Sequence, residues 1–115
     1  MPSRSVRAIR ALAMMSLFLA STIHAETRVI EFKGGTFMPS ELTIEAGDTL
    51  RVVNLDGVPH TFTANDGSYD SGRLMHGDAT QIVLARTGPH NFRCSLGGQT
   101  VHVMVMASRG AVHRG

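Results

Sequence analysis

Apolar and polar residues alternate with a period of two along much of the chain after residue 26. This period puts successive side chains on opposite faces of a strand, so each alternating segment predicts a β-strand. Glycine, proline and aspartate separate the segments at short intervals, and no segment after residue 26 has the period of a helix. The predicted strands lie in residues 28–32, 41–45, 49–54, 60–64, 80–84, 91–94 and 100–106. The pattern predicts an all-β fold, a Greek-key β-sandwich or barrel of about seven to eight strands.

The start of the chain has the three parts of a secretory signal peptide. Three arginines lie within the first ten residues, residues 11–20 form an apolar run, and residues 23–25 offer a cleavage site. The run is shorter than the roughly 20 residues that cross a bilayer, which favours a cleaved signal over an uncleaved anchor. We therefore expect a signal peptide (1–25), one domain (26–108) and a flexible tail (109–115). The protein is expected to be periplasmic or secreted, with no membrane span after cleavage.

The charge of the predicted mature chain is close to neutral. The full chain has 11 Lys and Arg against 9 Asp and Glu, and three of the arginines lie in the signal peptide, which leaves eight. The basic character of the whole sequence is therefore largely a property of the signal, and nothing in the charge pattern predicts nucleic-acid binding. The remaining 90 or so residues suffice for one small core, and we expect a monomer.

Cys94 is the only cysteine in the chain, so it forms no internal disulfide. In an exported protein such a thiol is an accident, an intermolecular link or a ligand. It ends a predicted strand, and His60 lies in the middle of the chain after the segment Asn54–Pro59. A thiolate and an imidazole are two of the ligands that copper prefers. The pair therefore predicts half of a copper site.

Spaced proline, glycine and apolar residues surround His60 and Cys94 in a distinctive order. They are Phe37, Pro39, Leu42, Ile44, Gly47, Asp48, Thr49, Leu50, Val52, Asn54, Pro59 and Thr61 before and after His60, and Ser71, Gly72, Leu74, Gly77, Gly88 and Phe92 before Cys94. This arrangement resembles the small cupredoxins, such as amicyanin, pseudoazurin and plastocyanin, over nearly all of residues 28–106. The resemblance implies a copper cofactor that cycles between Cu⁺ and Cu²⁺.

The resemblance also implies roles for individual residues. His60 matches the first imidazole ligand of the family and Cys94 matches the thiolate ligand. Asn54 matches a residue that hydrogen-bonds to the position after the cysteine, here Ser95, and so joins the two ligand loops. The implied function is single-electron transfer to a redox partner protein, without enzymatic activity.

The chain departs from the family pattern in the loop that follows Cys94. The family takes a second histidine from the third position after the cysteine, and that position holds Gly97. His102 could replace this second histidine as a copper ligand, and Met104 or Gln99 could supply the weak axial ligand. The alternation of the final strand explains His102 and Met104 equally well as ordinary strand residues.

Three functions follow from these alternatives. The first is a periplasmic electron carrier with a copper site. The second is a non-blue copper-handling protein whose site has an open position at Gly97. The third is a metal-free interaction module with the same fold. The sequence contains no Ser/His/Asp set, phosphate-binding loop or carboxylate pair that would predict a metal-free enzyme.

Overall fold

The computed structural model describes residues 25–108 and confirms the all-β prediction. Residues 1–24 and 109–115, which hold nearly all of the predicted signal peptide and the whole predicted tail, lie outside the described residues. Within the described range, no helix is long and apolar enough to span a membrane. The strands are β1 (Thr27–Lys33), β2 (Thr36–Met38), β3 (Glu41–Glu45), β4 (Thr49–Asn54), β5 (Thr63–Ala64), β6 (Ala79–Val83), β7 (Gly88–Arg93) and β8 (Thr100–Met106).

The strands form two four-stranded sheets that share one core. The first sheet has the order β2-β1-β4-β6 and the second has the order β3-β8-β7-β5. β1 pairs with β4 and β3 pairs with β8 in parallel, whereas the other neighbours are antiparallel. The core contains inward-facing residues of both sheets, including Ile30, Phe32, Leu50, Phe92 and Val103. Each such side chain contributes about 1.5–3 kcal/mol on burial, which holds the domain without a disulfide.

The alternation along β8 matches its burial closely. Val101, Val103 and Val105 are buried, while His102 and Met104 are exposed. The odd-numbered residues therefore face the core, and the even-numbered residues face away from it.

The predicted strand at residues 60–64 forms only at its end, as β5. His60 makes an isolated bridge, and the N–H groups of Thr61 and Phe62 bind side chains rather than a neighbouring strand. Because those N–H groups are already bound, they do not extend a ladder. The segment is instead held in place by hydrogen bonds to side chains.

A buried carboxylate, Asp48, joins the start of the domain to the turn before β4. Its oxygens accept hydrogen bonds from the backbone N–H groups of Glu26 and Glu45, each at 2.9 Å. Burial raises the pKa of Asp48, but these donors and the charge of Arg28 outweigh burial, so the pKa lies below its ordinary value of 3.8. The ionised carboxylate therefore contributes stability that is lost as the pH falls through this pKa.

Candidate metal centre

The fold brings His60 and Cys94 side by side. Cys94 directly follows β7, His60 lies between β4 and β5, and only 0% and 6% of their surfaces are exposed. The His60 Nδ1 atom lies 3.6 Å from the Cys94 Sγ atom. Two ligands at about 2.3 Å (sulfur) and about 2.1 Å (nitrogen) from one metal, at a tetrahedral angle, would lie roughly 3.5 Å apart. The observed separation fits a shared metal ion.

The backbone around Cys94 stabilises its thiolate form. The Thr61 N–H group donates to Cys94 Sγ at 3.4 Å, and the N–H groups of Leu96 and Gly97 also interact with the thiol. Burial raises the pKa of Cys94, but these donors and His60 outweigh burial, so the pKa lies below its ordinary value of 9.0. Since the thiolate is the form that binds metals, these contacts favour a ligand role.

A carboxylate fixes the orientation of the His60 ring. Asp56 Oδ2 lies 3.0 Å from His60 Nε2, and the two Asp56 oxygens also accept hydrogen bonds from the N–H groups of Gly34 and Gly35. Burial raises the pKa of Asp56, but these contacts outweigh it and lower the pKa. An ionised Asp56 accepts the Nε2 proton and holds Nδ1 toward Cys94 Sγ, where a bound metal would take the place of any proton shared between Nδ1 and the sulfur. Phe32 stacks on the other side of the ring, with centroids 3.5 Å apart.

The link between the two ligand loops is made by Thr61 rather than by Asn54. Thr61 Oγ1 accepts a hydrogen bond from the Ser95 N–H group at 2.8 Å and lies 3.0 Å from Ser95 Oγ. The Asn54 amide instead donates to the carbonyl oxygens of Val58 and Leu74. Asn54 therefore shapes the segment that leads to His60, and the expected Asn54–Ser95 bond is replaced. The adjacency of Thr61 to His60 is the sequence signal for this role.

The predicted ligands His102 and Met104 lie on a different side of the sheet from Cys94. Both side chains are on the exposed face of β8, and His102 Nδ1 lies 2.6 Å from Asn91 Oδ1. Cys94 is buried at the end of β7, on the same inward face as Phe92. The structure thus brings His60 and Cys94 together and leaves His102 and Met104 outside that pair.

Asp56 and Gln99 also border the site, although the sequence interpretation gave Asp56 no role. Gln99 follows the loop after Cys94, and its Nε2 atom donates to the Gly35 carbonyl oxygen at 3.2 Å. Within residues 25–108, no group of three or more His, Cys, Asp or Glu side chains is arranged to hold a metal ion.

The donor set fits copper. A stabilised thiolate and an imidazole with a fixed lone pair suit both Cu⁺ and Cu²⁺. Bound copper would supply one-electron redox chemistry, while the chain would bind the ion through His60 Nδ1 and Cys94 Sγ. Asp56 and Thr61 would hold those two atoms in place.

Comparisons with known proteins agree with this fold. A family model described as a cupredoxin-like domain matches residues 7–107. An amicyanin variant in the Cu(I) form superposes with a TM-score of 0.65 at 17% identity, covering 70% of this chain and 82% of amicyanin. No protein in the curated collection matches the sequence.

Two further structures share the fold. A purple cupredoxin from Nitrosopumilus maritimus has a TM-score of 0.62 at 24% identity, with 72% of this chain and 100% of that chain covered. A copper-containing nitrite reductase from Thermus scotoductus has a TM-score of 0.62 at 22% identity, and the match covers 68% of this chain but 22% of the reductase. At these identities the solved structures support the fold alone.

Proposed function

Because the chain belongs to the cupredoxin-like domain family, we propose that it is a periplasmic copper protein that transfers single electrons. His60 and Cys94 bind the copper ion, and the chain is a carrier rather than an enzyme. The observation that carries this proposal is the pairing of His60 Nδ1 with a stabilised Cys94 thiolate at 3.6 Å.

The surroundings of the two ligands favour electron transfer. The Thr61 N–H group donates to Cys94, the Asp56 carboxylate accepts from His60, and the Phe32 ring stacks on His60, so the ligand side chains are restrained before any metal binds. Restrained ligands change position little between two oxidation states, which keeps the cost of reorganisation low. The same restraint would keep the two ligand atoms in place for copper in either oxidation state.

The partner is proposed to be another redox protein that docks next to the site. Val58 lies two residues before His60 and Leu96 lies two residues after Cys94, and these apolar side chains are 58% and 49% exposed. Exposed apolar side chains next to a buried ligand pair suit a short-lived protein contact. We propose that the protein acts as a monomer and binds no nucleic acid.

One preparation tests the location and the metal. The full chain is expressed in a bacterium and purified from the periplasm, and mass spectrometry checks whether the mature chain begins at Glu26. Cu(II) is then added, and the visible and EPR spectra are recorded for the wild type and for Cys94→Ser. We expect an intense thiolate-to-copper band that is lost in Cys94→Ser. A copper signal that does not depend on Cys94 would overturn the proposal.

A second candidate function is a copper-handling protein with a non-blue site. The observation that favours it is Gly97, which has no side chain at the position where a second histidine was expected. A site with an open position would exchange external ligands, so its spectrum would change when azide is added. A metal-free interaction module would instead show no thiolate-dependent copper signal at all.

A further inference from the structure

The Gln99 side chain lies on the same face of the sheet as the Cys94 side chain. β7 and β8 pair antiparallel, with Phe92 opposite Val101, both buried. One step past the end of this ladder, the same register puts Cys94 opposite Gln99, and the Cys94 N–H group donates to the Gln99 carbonyl oxygen at 2.8 Å. Side chains directly opposite each other on antiparallel strands have Cβ atoms about 4.5–5.5 Å apart. Gln99 is therefore a direct neighbour of the sulfur ligand.

The orientation of the Gln99 amide is fixed by its nitrogen. Gln99 Nε2 donates to the Gly35 carbonyl oxygen at 3.2 Å, and a reversed amide would place two oxygens against each other. The other end of the amide, Oε1, is buried and accepts no hydrogen bond from any residue in the range 25–108. A buried carbonyl oxygen without a donor is costly, which calls for a cation or a donor at that position.

The Gln99 amide packs against the backbone of Gly97, and Oε1 is the amide atom nearest to the place where a Cβ atom on residue 97 would lie. A Cβ atom on Gly97 would overlap the Gln99 amide, lying only 3.0 Å from both Cδ and Nε2. The backbone of Gly97 is not in the left-handed region, so its conformation does not require glycine. Glycine at position 97 therefore leaves room for the Gln99 amide where it lies, and a larger residue there would make the amide move.

We propose that Gln99 Oε1 is the third copper ligand and replaces the histidine that Gly97 lacks. This inference rests on the proposed copper function of His60 and Cys94. The turn at Gly34 and Gly35 supports it, because that turn binds Asp56, which holds His60, and also binds the Gln99 amide. One turn therefore positions both an imidazole and an amide beside the sulfur.

An amide oxygen and a second imidazole would give the site different preferences for the two oxidation states of copper. Oxygen is a harder donor than nitrogen or thioether sulfur and favours Cu²⁺ over Cu⁺. A His, Cys and Gln set also leaves the copper with fewer strong donors than a two-histidine site. We therefore expect copper affinity to depend on Gln99 more strongly in the Cu²⁺ form than in the Cu⁺ form.

The test compares Gln99→Leu and Gln99→Glu with the wild type. Gln81→Leu, on the exposed side of β6, is the matched control. The dissociation constants for Cu(II) and Cu(I) are measured by competition with chelators. Loss of a residue that only hydrogen-bonds to a metal ligand weakens metal binding about 10–100-fold. Loss of a ligand itself, as in Gln99→Leu, should therefore weaken Cu(II) binding at least about tenfold. Gln99→Glu, which keeps an oxygen donor but loses the hydrogen bond to Gly35, should bind Cu(II) more tightly than Gln99→Leu, and Gln81→Leu should not differ from the wild type.

A second measurement does not depend on redox activity. Zn(II), which accepts nitrogen, sulfur and oxygen ligands, is added to ¹⁵N- and ¹³C-labelled protein. The Gln99 side-chain carbonyl resonance should shift, whereas that of Gln81 should not. Thermal unfolding of the metal-free variants completes the test, because a Gln99 that only holds Gly35 would lower the melting temperature in Gln99→Leu without weakening Cu(II) binding.

The outcomes separate the two proposals. If wild-type protein binds no copper through Cys94, the proposed function fails. If wild type and Gln99→Leu bind Cu(II) equally well and the Gln99 carbonyl does not shift, the function stands and the third-ligand role is overturned. The latter result would assign the buried oxygen to a bound water molecule.

Discussion

Replacing Asp56 with asparagine tests how the chain tunes its histidine ligand. The carboxylate of Asp56 faces His60 Nε2 at 3.0 Å and accepts two further N–H groups, from Gly34 at 2.8 Å and from Gly35 at 3.0 Å. Its own N–H group donates to Asn54 Oδ1, which fixes the backbone at this residue. The substitution Asp56→Asn keeps the shape of the side chain and removes its negative charge.

An asparagine oxygen can replace only one of the two carboxylate oxygens. If it faces His60 and Gly35, the amide nitrogen faces the exposed Gly34 N–H group, which water can bind. If it faces Gly34, the amide nitrogen meets His60 Nε2 and drives the ring proton to Nδ1, opposite Cys94. The first orientation keeps two hydrogen bonds and is the one we expect. The ring then keeps its position but loses the negative charge beside Nε2.

The magnitude follows from the effect of such partners on metal ligands. Loss of a group that orients a ligand typically weakens metal binding about 10–100-fold. The missing negative charge penalises Cu²⁺ more than Cu⁺, so the reduction potential should rise. A tenfold difference between the two oxidation states corresponds to about 59 mV for one electron. The expected rise is therefore on the order of 60 mV, with about 120 mV as the upper bound if only Cu²⁺ is weakened a hundredfold.

The assay combines chelator competition for Cu(II) with an equilibrium redox titration. Asp66→Asn is the matched control, because it removes one negative charge from an exposed residue that contacts Arg86 at 3.8 Å. ¹⁵N NMR of the metal-free protein reports which nitrogen of His60 carries the proton, and we expect Nε2 in both the wild type and Asp56→Asn. A potential that falls, or that rises equally in Asp66→Asn, would refute the role assigned to Asp56.

Three other substitutions test the loop, the core and the docking surface. Gly97→His alone should not give an intense blue band, because the Gln99 amide fills the space that the new side chain needs. The double variant Gly97→His with Gln99→Gly, which removes that amide, should give the band. An intense blue band from the single variant would contradict this reasoning. Asp48→Asn should lower the free energy of unfolding by about 1–3 kcal/mol at pH 7. Since the pKa of Asp48 is lowered, urea unfolding should show this difference shrinking below pH 3.8, and a constant difference would be inconsistent. Leu96→Glu should slow electron self-exchange between copper-loaded copies at least about tenfold by like-charge repulsion, while Val83→Glu, on β6, should not.

The alternation of apolar residues predicted most of the fold because burial follows it directly. The same alternation contained the information about His102, since a residue one step from buried Val101 and Val103 faces away from the core. The distance of eight residues between Cys94 and His102 carries no information about the face of the strand on which His102 lies. Period and register are therefore better guides to a ligand in a strand than its distance along the chain.

The contacts of Asp56 and Thr61 were harder to predict. Asp56 lies in the loop after β4, and Thr61 lies in the part of the predicted 60–64 strand that does not form a ladder. Their partners, Gly34, Gly35 and Ser95, are 20 or more residues away in sequence. Such contacts depend on how the two sheets pack against each other, which a pattern along one strand does not determine.

The loop that follows Cys94 is tightly closed at its base. Residues 95–98 are closed at their base by the Cys94 N–H bond to the Gln99 carbonyl and by the Gly98 N–H bond to the Cys94 carbonyl, both 2.8 Å. A loop closed this tightly puts Gln99 opposite Cys94 on the inward face. In this loop the Gln99 amide occupies the place that a side chain on residue 97 would take. A histidine at position 97 and a glutamine at position 99 therefore compete for the same space, and this chain has the glutamine.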